Sequence, residues 1–222
     1  MSQETTETSV LHGTHDDLQK RSMRTAYWIS QIGSPPILSM VGILLSATIL
    51  GTLGAWLWAT LYTMVAVIAP TLYVVWLAKT GRVTDIHLPL REERTLPMIF
   101  TLFAGLFAWF VLAIGNAPQL LLLIAAINGI QSIIFLFITL RWKISFHCTM
   151  AAQLSVLSLL LFGWNIGTPV VFSVPLIAWA RVHLQRHTIA QTVAGSVLGV
   201  ALVVSGLYVT ETFDLELFHK LF

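Results

Sequence analysis

The sequence predicts an all-α bundle of six to seven membrane-spanning helices, and two observations carry that prediction. Hydrophobic residues fill 56% of the 222 positions and charged residues only 10%, where soluble domains carry about 25% charged residues. Apolar runs of roughly 20 residues also recur, the length that crosses a hydrocarbon core about 30 Å thick at 1.5 Å per residue. Mean hydropathy is +0.82. Lipid offers no partners to backbone N–H and C=O groups, so the runs read as helices, which satisfy those groups internally.

The elements follow in order. Residues 1–19 are polar, Thr-rich and acidic, and are expected to form a flexible tail. Residues 20–35 mix Lys20, Arg21 and Arg24 with Tyr27, Trp28 and Ile29, a pattern of a short interfacial segment with cations toward headgroups. Pro35 and Pro36 suit the start of a helix, where a missing N–H costs little. Seven apolar stretches come next, at about 36–57, 60–78, 97–115, 119–140, 146–164, 168–180 and 189–209. The sixth is short, and its helix is expected to run on through Arg181. Breaks are expected at Trp58–Ala59, at "GNAPQ" (115–119) and at "WNIGTP" (164–169). The chain thus divides into an N-terminal tail and interfacial segment (1–35), a membrane domain (36–209) and an amphipathic C-terminal tail (210–222).

Counting crossings places the N-terminus, the loop 79–96, the loop 141–146 and the cluster 181–188 on one side. Eleven of the twelve Lys and Arg fall there, Lys220 being the exception. The positive-inside rule makes that side cytoplasmic and the protein a multi-pass protein of the cell membrane. A net charge of +2 gives no global basic field for nucleic acid. The single cysteine, Cys148, excludes an internal disulfide and a Cys-based zinc cluster. No apolar stretch near the N-terminus reads as a cleavable signal.

Three polar segments converge on the cytoplasmic side. "ARVHLQRHTIAQ" (180–191) offers Arg181 and His187; Arg suits bidentate recognition of phosphate, and His can act as nucleophile or proton donor. "RWKISFHCTMAAQL" (141–154) puts Ser145 and His147 at a helix N-terminus, where free N–H groups attract anions. "RVTDIHLPLREERTLP" (82–97) brings Asp85, His87, Arg91, Glu92, Glu93 and Arg94. The acids are expected to pair with Arg91 and Arg94 or to face water, ahead of holding Mg²⁺ near a diphosphate. His183 and Arg186 are expected to meet headgroups. Asn128 and Gln131, three apart on one helix face, are expected to hydrogen-bond between helices, and Gly195-xxx-Gly199 to allow close helix packing.

These segments resemble the three motifs of the type 2 phosphatidic acid phosphatase superfamily, KxxxxxxRP, PSGH and SRxxxxxHxxxD. The resemblance covers about residues 79–200. The third motif keeps Arg181, five intervening residues and His187; the second keeps Ser145 and His147; the first keeps Arg94, with Pro97 displaced. The sequence departs at Gln191, where the family has Asp, and at His87, where it has Lys; Phe146 replaces the glycine and Ala180 the serine. The resemblance implies a metal-independent, cofactor-free phosphatase acting on a lipid phosphate or an isoprenoid diphosphate. His187 would be the nucleophile, oriented by Gln191, with His147 as general acid. Arg94, Ser145, Arg181 and His87 would hold the phosphate. Membrane lipids are the expected surroundings, with room for a homo-oligomer or a membrane-complex partner. Gln191 supports a second reading, a catalytically impaired relative that serves as a membrane scaffold or lipid-binding subunit. A transporter or channel is disfavoured, since the spans carry almost no charge.

Overall fold

The computed structural model describes residues 18–86, 88, 90 and 92–209, and these are helical with no strand among them. The chain opens with α1 (Leu18–Ile32), which meets α2 (Pro35–Leu50) at a 44° bend. Gly33 makes that bend: a Cβ there would lie 2.6 Å from the Ile177 side chain. Ala26 and Ser30 turn inward on α1, while Lys20, Arg21, Arg24, Tyr27, Trp28 and Ile32 are exposed. The tails 1–17 and 210–222 lie outside the described residues.

The first break falls earlier than the sequence suggests. α2 ends at Gly51, whose φ of 63° is open to glycine at little cost. Thr52 then caps α3 (Leu53–Lys79), accepting a hydrogen bond from Ala55 N at 3.1 Å. Trp58 and Ala59, expected at a break, lie inside α3. A π turn occupies Thr63–Ile68, with Ala69 N donating to Met64 O. Pro70 follows at once; it has no N–H for a regular i−4 bond, so a local widening of the turn relieves the helix.

A single 3₁₀ turn (Glu92–Arg94) leads into α4 (Thr95–Ile114), and α5 (Gln119–Thr139) returns after Asn116 and Pro118. α6 spans Phe146–His183 but is folded back on itself at Gly163, where φ 70° and ψ −170° interrupt the helix. The two halves touch: Ser155 Oγ donates to Val170 O at 3.1 Å, and a Cβ on Gly167 would lie 2.7 Å from Leu159 Cα. The second half continues past Arg181 to His183. α7 (Ile189–Val209) packs along the first half of α6 through Gly195 and Gly199. A Cβ on Gly195 would lie 2.6 Å from Ser145 O, and one on Gly199 would run into Thr149 O.

Among the described residues, five helices are long and apolar enough to cross a membrane, or six if α1 and α2 form one bent span. The interior is built from small and medium side chains, among them Ala47, Ala59, Ala108 and Ala125, which let helices approach closely. Phe103, Phe107, Phe110 and Val204 are exposed, the outward apolar surface that a lipid-facing bundle presents.

Candidate active site

The turn after α6 builds the first part of the site. Gln185 takes a φ of 53°, and Arg186 N and His187 N both donate to Arg181 O, at 3.0 and 3.2 Å. The chain therefore curls over the end of α6 and returns His187 to the vicinity of Arg181. Thr188 then starts α7 with a reciprocal cap. Gln191 N donates to Thr188 Oγ1 at 3.3 Å, and Gln191 Oε1 accepts from Thr188 N at 3.1 Å. This is a Thr-x-x-Gln capping box, which satisfies two orphan donors of a helix start. The same Gln191 Oε1 stands 3.1 Å from His187 Nδ1. A carbonyl oxygen only accepts, so Nδ1 carries the proton and Nε2 keeps its lone pair.

Arg181 is the buried charge of the site, 8% exposed. Its Nη1 donates to Ser30 Oγ of α1 at 2.9 Å, while its Nε is buried without a partner among the described residues. His183, two residues on, is 2.7 Å from Ser22 Oγ and stacks on Trp179. Residues 151 and 161 positions apart in sequence thus join α1 to the end of α6.

The second segment starts α6. Ser145 is fully buried and serves as the N-cap, its Oγ accepting from Cys148 N at 3.4 Å. Its own N donates to Gln191 O at 3.3 Å, which ties the starts of α6 and α7 together. His147 follows in the first turn. Phe146 packs on Phe135 with ring centroids 3.8 Å apart. From the third segment, Arg94 closes the 3₁₀ turn and donates from Nε to Leu88 O at 2.8 Å.

Arg94, His147, Arg181 and His187 line one cavity of about 440 Å³, within the size range of small-molecule sites. Ser145 does not line it; its hydroxyl is occupied in capping. His87 lies outside the described residues, as does Arg91. Glu93 accepts from Thr84 N and Oγ1, at 2.8 and 3.0 Å. Among the described residues no group of His, Cys, Asp or Glu could hold a metal ion.

The electrostatics are those of an anion site. His187 is pulled down from 6.5 to about 3, first by burial, then by Arg181 and Lys143; Gln191 opposes this weakly. Lys143 is likewise lowered by burial, then by Arg94, Arg181 and Arg186. Lys143 was missed in the sequence, although it stands two residues before Ser145 in the loop that closes on the site. Cations that depress one another's protonation gain from an anion placed among them. Comparison of the chain with protein-family models, with curated proteins and with solved structures finds no match.

Proposed function

We propose that the chain is an integral membrane phosphatase of the type 2 phosphatidic acid phosphatase kind, hydrolysing a lipid phosphate or an isoprenoid diphosphate. One observation carries this reading: Arg94, His147, Arg181 and His187, from three separate segments, line a single cavity that continues between the membrane-crossing helices, with both apolar and polar side chains on its walls. Such a cavity suits a substrate with an anionic head and a hydrocarbon tail.

In this reading Arg94 and Arg181 hold the phosphate oxygens, and Lys143 adds charge from the adjoining loop. His187 Nε2 attacks phosphorus, forming the N–P bond as the bond to the leaving oxygen breaks, the alcohol's in a monophosphate and the bridging one in a diphosphate. His147 gives its proton to the leaving oxygen. Water then attacks the phosphohistidine and passes a proton to His147, releasing inorganic phosphate and restoring both imidazoles. Gln191 keeps the Nδ1–H tautomer in place but adds no negative charge to offset the imidazolium. That shortfall favours the second reading, an impaired relative that binds lipid without turning it over.

The test is phosphate release by purified protein, without added metal, from a panel of lipid monophosphates and isoprenoid diphosphates. Release from at least one member is expected; none across the panel would leave the lipid-binding reading in its place.

The fold-back of α6 supports seven crossings. A helix of 38 residues would be about 57 Å long if straight, roughly twice the hydrocarbon thickness. With the cation-rich ends cytoplasmic, an odd number of crossings puts the end of α7 outside. A reporter fused after Phe222 is expected to be inactive if it works only in the cytoplasm. Activity there would reverse the orientation.

A further inference from the structure

The cavity does not end at the cationic pocket. α6 runs inward from His147, and Met150 lies three residues further, about 4.5 Å along the axis; both line the cavity. At that depth Gln131 of α5 lines it too, only 6% exposed, its Nε2 donating to Met150 Sδ at 3.1 Å. A thioether sulfur can only accept, so the amide nitrogen belongs on that side. The carbonyl oxygen of Gln131 is left buried with no partner among the described residues. One turn deeper on α5, Asn128 donates to the Tyr62 hydroxyl at 3.1 Å, and both side chains line the same cavity.

Helix-to-helix bonding explains the Gln131 nitrogen and Asn128. It does not explain the Gln131 oxygen. An unmatched buried acceptor is costly to the fold, and polar residues inside a span are expensive to keep there.

We propose that Gln131, backed by Asn128 and Tyr62, forms a second polar subsite that accepts a hydrogen bond from a backbone hydroxyl of a phosphorylated lipid. The proposal rests on the phosphate reading of Arg94, Arg181 and His187. The terminal torsion of glutamine is broad, so the amide turns its oxygen to an arriving donor. A monoacylglycerol or sphingoid backbone carries a free hydroxyl close to its phosphate, at the depth of one helical turn on the membrane side of His147. An isoprenoid chain is hydrocarbon at that depth and leaves the carbonyl unmatched. The subsite therefore selects hydroxyl-bearing lipid phosphates over isoprenoid ones.

Binding is the readout, so that the subsite is tested whether or not the protein turns over. Full-length protein in detergent is titrated with two non-hydrolysable phosphonate analogues of monooleoyl glycerol phosphate, one with the backbone hydroxyl and one with hydrogen in its place. Wild type is expected to bind the hydroxyl analogue about 3- to 10-fold tighter, the range of one neutral hydrogen bond. Gln131→Leu, similar in size, is expected to bind both alike. Equal Kd values in wild type, or a preference retained in Gln131→Leu, would overturn the subsite, and the wild-type pair decides alone if the variant does not fold. Binding of neither analogue overturns subsite and anion pocket together. Phosphate release from monooleoyl glycerol phosphate is followed in parallel. A hydroxyl preference without release from any member of the substrate panel would refute the phosphatase and keep the subsite; release without a preference would do the reverse.

Discussion

His187→Ala is expected to bring phosphate release to background, a loss of roughly 10³-fold or more. Arg181 and Arg94 are fixed cations, Gln191 is a neutral amide already accepting from His187 and Thr188, and His147 is assigned to the leaving oxygen. The same site predicts an unusual pH profile. With its pKa lowered to about 3, His187 stays neutral through the physiological range, so its protonation does not set an acid limb of kcat/KM near 6.5. A carboxylate beside the ring favours imidazolium and raises its pKa. Gln191→Asp should therefore move the acid limb upward and, by stabilising the charged intermediate, increase turnover at neutral pH. Measured kcat/KM from pH 4 to 8 decides it. Wild-type activity that survives His187→Ala intact would exclude a phosphohistidine route altogether.

The second large effect concerns the packing that holds the site. Gly199→Val is expected to lower the melting temperature in detergent by about 5 °C or more, because overpacking costs about 1–3 kcal/mol. Its Cβ meets the Thr149 carbonyl and lies 3.0 Å from Ala152 Cβ, so α7 must move away from α6. Gly199→Ala should destabilise as well. That sign is informative, since alanine in a helix interior is ordinarily better than glycine by about 1 kcal/mol. Gly54→Ala on α3 is the control: nothing lies within 4 Å of a Cβ there, and stability should hold or rise. A Gly199→Ala protein as stable as Gly54→Ala would contradict the close α6–α7 contact.

The sequence alone determined the class of the fold and the chemistry gathered at one end. Composition and run length suffice for apolar helices, because lipid leaves the backbone no other way to satisfy itself. Arg181 with His187, Ser145 with His147, and Arg94 were legible as candidate site residues, because Arg and His are residue types suited to phosphate and the three segments resemble the phosphatase motifs. The capping box of Thr188 and Gln191 was legible too, but Gln191 was read only against a family aspartate.

The tertiary structure decided what depends on long-range packing. The break at Gly51 in place of Trp58 was hidden, since a glycine inside an apolar run carries no local mark of a left-handed turn. The fold-back at Gly163 was legible, since a break was expected one residue on, at 164–169; only the contact of Leu159 with Gly167 that holds the two halves together was not. Ser145, a phosphate contact by the family resemblance, caps α6 and lies against α7, a placement that only the α6–α7 contact reveals. Ser30 reaches Arg181 across 151 positions, and the Gln131 carbonyl is stranded only once Met150 takes its nitrogen. Periodicity reports which face of a helix is apolar; the neighbour that face meets is set by how helices distant in sequence pack, and that packing decides which polar atoms remain for a ligand.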